Sequence, residues 1–182
     1  MAHDAKVSEL CNCWATSRVL ADMKSDLVSE SSWTRLWIPF GAALFLVALT
    51  VSAWVVPQLR LLHFLQALIY VAIVILARRD SAWGLGAGVA VPVAWNSLNL
   101  FVTRLMQAGA VAFWTFLHTG HVRRLDTMMV PVAGIGHFIL IIACTAVFLQ
   151  QPGKREKWRQ FVGGGAAALA YLFLIVATAR PR

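Results

Sequence analysis

The stretch Met128–Leu149, MMVPVAGIGHFILIIACTAVFL, continues for 22 residues without a charged side chain. A helix needs about 20 apolar residues to cross the ~30 Å hydrocarbon core of a bilayer. Four further stretches meet or approach that length: Trp37–Val56, Leu59–Ala77, Ala82–Val102 and Phe161–Ala179. The chain is therefore predicted to be an all-α, polytopic integral membrane helical bundle.

Composition agrees with a membrane location and leaves no room for a separate soluble enzyme domain. The 182 residues are 59% hydrophobic and 13% charged, with a mean hydropathy of +0.70, whereas soluble domains are nearer half apolar and a quarter charged. The net charge of +8 would suggest nucleic acid in a soluble protein. In a membrane protein it belongs to loops that set topology and contact anionic headgroups, so no nucleic-acid partner is expected.

The excess of arginine over lysine, together with abundant Ala, Val and Leu, indicates a bacterial chain. We therefore expect the bundle in the cytoplasmic (inner) membrane. Its expected neighbours are anionic lipids and either further copies of the chain or the other subunits of a membrane complex.

Residues 1–33 are polar and are predicted to form a separate N-terminal segment before a transmembrane domain at 34–182. Apolar residues at helical spacing within 7–28 favour an interfacial amphipathic helix; a solvated tail or a partner-docking helix is the alternative. The pattern of a secretory signal is absent, so the first hydrophobic helix is expected to be an uncleaved anchor. Cys11 and Cys13 supply too few thiolates for a closed zinc site.

The segment from Ala82 to His121 decides the number of crossings. Its 40 residues would form about 60 Å of helix, twice the length of one crossing. A turn near Thr103–Gly109 gives six transmembrane helices, which we favour because Ala108–Leu117 is too apolar for water. A single crossing followed by an interfacial or re-entrant half gives five.

The positive-inside rule places the N-terminus in the cytoplasm under either count. The 16 basic residues divide ten to six in favour of the N-terminal side in both cases. Arg-flanked sequences at 33–39, 78–84 and 123–129 also introduce successive odd-numbered helices. Three tandem helical hairpins, as in some transporter folds, would explain this repeat, and so would chance similarity.

The clearest polar signal within an apolar stretch is a stripe on the third helix. Asn96, Asn99, Thr103 and Gln107 follow steps of three, four and four and so share one helical face, with Arg104 beside it. In lipid their polar groups need partners, which leaves two interpretations: hydrogen bonds between helices, or the lining of a substrate or ion pathway. No Asp or Glu lies inside a predicted span, which argues against a proton pump or a sodium-coupled carrier of ordinary design.

Three histidines are candidate ligands. His118 and His121 share a face at the end of the fourth helix, and His137 lies about ten residues into the fifth. Two facing histidines, His118 and His137, could hold a b-type haem or, with more ligands, a metal. Most membrane histidines instead hydrogen-bond a neighbour, so no cofactor is predicted and haem is the alternative.

Small residues indicate close helix contacts at Gly84 and Gly88, which form a GxxxG match, and at Gly163 and Gly164, which open the last helix. Nucleotide-binding, metalloprotease and serine-hydrolase motifs are absent. We therefore expect a non-enzymatic protein, either a small channel or transporter or a structural subunit of a larger membrane assembly. A haem- or metal-binding redox protein is the alternative.

Overall fold

The computed structural model describes residues 34–121 and 124–178, which are almost entirely helical. The predicted N-terminal segment and its two cysteines lie outside these residues. The helices are α1 (Thr34–Val55), α2 (Arg60–Arg78), α3 (Ala82–Ser97, continued by a π-helical turn at Leu98–Val102), α4 (Leu105–Thr119), the one-turn α5 (Leu125–Met128), α6 (Val130–Gln150) and α7 (Lys154–Thr178).

Five segments among the described residues are long and apolar enough to cross a membrane. They are α1, α2 with the 3₁₀ turn before it, α3 with its π turn, α5 together with α6, and α7. The prediction of an all-α polytopic membrane bundle is confirmed.

The helix α4 is the sixth apolar helix, and its fifteen residues give about 22 Å, less than one crossing. Gly109, in its second turn, packs against Thr127 and Pro131 at the start of α6. Only ten residues separate Gly109 from the end of α4, so the helix extends about 15 Å beyond this contact. Five of the described helices therefore meet the length and composition of a membrane crossing, and α4 does not.

The connection between α1 and α2 is made by Pro57, which lacks a backbone N–H and forces Val56 into an extended conformation. Arg60 then donates from Nε to the carbonyl oxygen of Ala53 at 3.1 Å, which satisfies one of the free carbonyls at the end of α1. The two helices therefore form a tight hairpin.

The centre of the bundle is the antiparallel pair α3 and α6. Gly88 on α3 faces the Cys144 side chain, and Asn96, two turns later, faces His137. The helix α1 crosses α6 where Gly41 meets the Gly136 carbonyl, since a Cβ built on Gly41 would lie 2.7 Å from that oxygen. The two glycines allow the backbones of α1 and α6 to approach this closely.

The end of the bundle where α1 begins also carries the α2–α3 and α6–α7 connections. Asp80 lies in the α2–α3 turn with a positive φ of 54°, and its carboxylate pairs with Arg35 at 2.8 Å. Gln151, just after α6, donates from Nε2 to the Asp80 carbonyl at 3.0 Å. These contacts place both connections on the same side as the start of α1.

Candidate functional site

His137 is fully buried in the middle of the bundle and bonds to side chains from two other helices. Its Nε2 lies 2.7 Å from the Tyr70 hydroxyl on α2, and its Nδ1 lies 3.1 Å from Asn96 Oδ1 on α3. Three helices are therefore joined by one imidazole ring.

The hydrogen-bond pattern fixes the tautomer of this ring. Because an amide oxygen only accepts, Nδ1 of His137 must carry the proton and donate it to Asn96. A positive charge would have no counter-ion among the groups that bond the ring, and burying it would be costly. The ring is therefore neutral, and Nε2 accepts from the Tyr70 hydroxyl.

Aromatic side chains enclose the same imidazole. The Phe45 ring stacks on it with centroids 4.1 Å apart, and the Trp95 ring meets it edge-on at 4.7 Å. Both arrangements are preferred geometries for aromatic pairs. The cluster formed by Phe45, Tyr70, Trp95, Asn96 and His137, which we call the histidine cluster, thus draws one or more side chains from each of α1, α2, α3 and α6.

The predicted polar stripe on α3 is divided in the structure. Asn96 and Asn99 are buried, whereas Thr103, Arg104 and Gln107 are exposed. The π turn at the end of α3 and the positive φ of 54° at Arg104 interrupt the α-helical periodicity on which the shared face depended. Only the first two members of the stripe are therefore inside the bundle.

Asn99 lies in the π turn and is hydrogen-bonded within its own helix. Its amide donates to the Trp95 carbonyl at 2.8 Å, and its Oδ1 accepts from the Thr103 hydroxyl at 3.2 Å. π-Helical turns are rare and occur frequently at functional sites. Here the turn places Asn99 against a cavity.

That cavity has a volume of about 300 Å³ and lies where α1 and α3 end and α2 and α6 begin. Its polar lining comes from Ser52, His63, Gln66, Asn99, Arg124, Asp126 and Thr127, and its apolar lining includes Phe45 and Trp95 of the histidine cluster. We call this space the solute cavity. It lies at the end of the bundle opposite the start of α1.

Two polar groups in this region are enclosed without a hydrogen bond to any other described residue. These are Nδ1 of His63, which lines the cavity, and Nδ2 of Asn96, in the histidine cluster. An enclosed polar atom costs free energy unless water or a ligand satisfies it. Because His63 lines the solute cavity, this cavity is expected to contain water or a polar ligand.

An ion pair borders the cavity. Arg124 donates to the Asp126 carboxylate through Nη2 at 2.6 Å and through Nε at 3.3 Å. This contact raises the pKa of the Arg124 guanidinium above its ordinary value. The pair brings both signs of charge to the cavity while leaving its net charge near zero.

Sequence reasoning missed most of this lining. No sequence pattern singled out Ser52, His63 or Gln66 of the cavity, or Tyr70 of the histidine cluster. A signal was present in part, since Ser52 and Gln66 are polar residues inside predicted apolar stretches. These residues come together only because of how the helices pack, and a single sequence does not reveal that packing.

The structure places the predicted haem ligands His118 and His137 in different surroundings. His118 is exposed on α4 and its Nδ1 bonds to the Trp114 carbonyl at 2.9 Å, while both ring nitrogens of His137 are engaged inside the bundle. His121 is exposed after the end of α4. Among the described residues, no three His, Cys, Asp or Glu side chains come together as a metal site.

Purified protein is therefore expected to show no Soret band in either the oxidised or the reduced state. Axial ligation by His137 would break one of its two hydrogen bonds and displace an aromatic ring. An absorption spectrum of the detergent-solubilised protein checks this, with metal analysis on the same sample. A Soret band that disappears in His137→Ala but not in His63→Ala would contradict the expectation.

The four predicted packing glycines all lie at helix contacts. A Cβ on Gly84 would meet Ala77 and Leu76 of α2, and one on Gly88 would meet Cys144. A Cβ on Gly163 would lie 3.2 Å from the Trp83 ring, and one on Gly164 would overlap the Trp83 backbone. Gly86 makes an equally close contact with the Phe161 carbonyl, which the GxxxG pattern did not indicate.

Comparisons with protein-family models, curated proteins and solved structures gave no match to this chain.

Proposed function

We propose that this chain is a small carrier-type membrane protein that binds a small polar solute in the solute cavity. The lining carries the proposal: hydrogen-bonding side chains of Ser52, His63 and Gln66 converge above an aromatic floor of Phe45 and Trp95. Ligand sites are typically concave and mostly apolar, with a few polar groups that fix orientation, and begin at about 300 Å³. A cavity of this size suits a metabolite rather than a macromolecule.

The packing of the bundle favours a carrier over an open channel. Beyond the histidine cluster, toward the start of α1, the side chains of Ile73, Leu85, Leu140 and Cys144 are buried between the solute cavity and that end of the bundle. A solute site that is open toward one side and sealed toward the other is the arrangement of an alternating-access carrier in one of its states.

The near-neutral lining indicates the class of solute. Arg124 and Asp126 offset each other, and the remaining polar groups are uncharged at neutral pH apart from any proton on His63. An uncharged or zwitterionic solute therefore fits better than a strongly charged one. A zwitterion would find a partner for each of its charges at the mouth of the cavity.

We also propose that the N-terminus is cytoplasmic. With five crossings, the loops on the N-terminal side carry ten of the 16 basic residues, which is the cytoplasmic pattern. The contact of Gln151 with Asp80 supports grouping the α2–α3 and α6–α7 connections on that side. The solute cavity would then open away from the cytoplasm.

A structural subunit of a membrane complex is the second candidate, supported by the hydrogen bond between Asn96 and His137 at the contact of α3 with α6. Such a bond specifies helix packing without any need for a solute. Under this proposal the solute cavity is a packing defect, and association with other copies or subunits is the function.

Cysteine labelling separates the two candidates. In a variant whose native cysteines are replaced, Ser52→Cys is expected to react with a small, membrane-impermeant thiol reagent because its side chain lines the cavity. Ala42→Cys, on the same helix but 1% exposed, is the matched control and is expected to remain unlabelled. The measurement is the labelling rate in vesicles, followed by mass spectrometry.

Protection of Ser52→Cys by solutes then tests binding, with glycerol, glycine and acetate as uncharged, zwitterionic and anionic probes. Slower labelling with glycerol or glycine, but not with acetate, is the result expected of the carrier. If Ser52→Cys were as unreactive as Ala42→Cys, the cavity would be dry and the structural-subunit candidate would take its place.

A further inference from the structure

A slot at the end of the bundle opposite the solute cavity combines two arginines with an apolar interior. It lies between α1 and α2 and has a volume of about 120 Å³. Its lining consists of Arg35, Arg78, Ile38, Pro39, Val74 and Ala77. The guanidinium groups lie at the ends of two membrane helices, above apolar side chains. This arrangement matches a phospholipid, whose charged headgroup lies at the membrane surface above its hydrocarbon chains.

The charges around this slot favour an anion. Arg35 pairs with Asp80 through Nη1 at 2.8 Å, but a guanidinium carries five N–H donors in a fixed fork, so others stay available. Arg78 is exposed in the last turn of α2, and Arg79 follows it. Three cations against one carboxylate leave an excess of positive charge at this corner.

Guanidinium geometry suits a phosphate in particular. Arginine binds phosphate oxygens through two parallel N–H donors, which adds direction to the charge attraction. The carboxylate of Asp80 holds Arg35 at the slot, so part of the entropy cost of fixing this side chain is already met before a ligand binds.

The apolar part of the lining selects a lipid over a free phosphate ion. Ile38 and Val74 lie about one turn from the arginines toward the middle of the bundle, on α1 and α2 respectively. A free ion gains nothing from these side chains, whereas the glycerol and the first acyl carbons of a phospholipid would bury apolar surface against them. Basic pockets between transmembrane helices on the cytoplasmic side are known to bind anionic headgroups.

We infer that the slot between α1 and α2 is a binding site for an anionic phospholipid, whose phosphate lies between Arg35 and Arg78 and whose acyl stem lies along Ile38 and Val74. This site is separate from the solute cavity and does not depend on the proposed transport. It would fix the α1–α2 hairpin to the membrane leaflet that carries negative charge.

Lipid binding to the detergent-solubilised full chain, followed by native mass spectrometry, tests the inference with dioleoyl-phosphatidylglycerol, dioleoyl-phosphatidylcholine and inorganic phosphate as probes. We expect Arg78→Gln to weaken phosphatidylglycerol binding about fivefold, the effect of one basic residue near a charged membrane surface. Arg159→Gln is the matched control, because it removes the same charge from an exposed residue of α7 that does not line the slot. It is expected to change binding less than twofold.

A second variant, Val74→Trp, fills the slot but keeps both arginines, and it is also expected to weaken phosphatidylglycerol binding. Equal losses in Arg78→Gln and Arg159→Gln would mean diffuse attraction and overturn the inference. So would unchanged binding in Val74→Trp, phosphatidylcholine bound as tightly as phosphatidylglycerol, or inorganic phosphate bound as tightly as the lipid.

Discussion

His137→Ala is expected to lower the free energy of unfolding by about 3 kcal/mol, because it opens a cavity in the core and leaves two buried polar groups without a partner. The Tyr70 hydroxyl would lose its acceptor and the Asn96 amide oxygen would lose its donor. The Phe45 ring would also lose the surface on which it stacks. Reversible unfolding by SDS in mixed micelles measures the change.

The matched control is His118→Ala, since His118 is exposed and bonds only to the backbone of its own helix among the described contacts. The free energy of unfolding of His118→Ala is expected to stay within about 0.5 kcal/mol of the parent value, as for most surface substitutions. Tyr70→Phe removes a single hydroxyl and is expected to cost about 1 kcal/mol, near the usual value for one hydrogen bond between membrane helices. Equal stabilities of His137→Ala and His118→Ala would be incompatible with a buried histidine cluster.

The histidine cluster could be predicted only in part from the sequence. An imidazole in the middle of an apolar stretch must find a hydrogen-bond partner in lipid, so the need for a partner was predictable from His137 alone. Its identity was not: Asn96 belonged to a predicted polar stripe, but Tyr70 lies 67 residues away along the chain. Nothing in the periodicity of α2 marks Tyr70 as facing α6.

The fold class was predictable for a simpler physical reason. A bilayer requires helices of a certain length, and composition alone reveals that length at Met128–Leu149 and in the other spans. The number of crossings was harder to predict, because Gly109 is the one helix breaker in Thr103–Gly109, where a turn would be needed. The left-handed backbone at Arg104 ends α3, and arginine is a residue from which no pattern would predict that conformation.

The solute cavity was the least predictable feature. Its polar residues come from four different parts of the chain, and each is unremarkable where it stands: Ser52 near the end of a span, His63 after a turn, Gln66 one turn later. Only the packing of α1, α2, α3 and α6 brings them to one space. The sequence indicated a polar stripe on α3, of which the structure buries Asn96 and Asn99.

Gly164 is a position where an added side chain is expected to destabilise the bundle strongly. A Cβ there would overlap the Trp83 backbone of α3, and backbone, unlike the end of a side chain, cannot move aside without separating the helices. Gly164→Ala is expected to cost about 3 kcal/mol, the upper end of the usual range for overpacking, and Gly164→Leu is expected to prevent a folded bundle.

Ala166→Leu, an exposed position on the same helix, is the control and should stay within about 0.5 kcal/mol of the parent. SDS unfolding and size-exclusion chromatography check all three, and unchanged stability in Gly164→Ala would mean that α3 and α7 do not touch through their backbones. The prediction follows from a general property of membrane helices: in lipid, helices associate by close packing rather than by escape from water, so one added methyl at a backbone contact removes much of what holds the pair together.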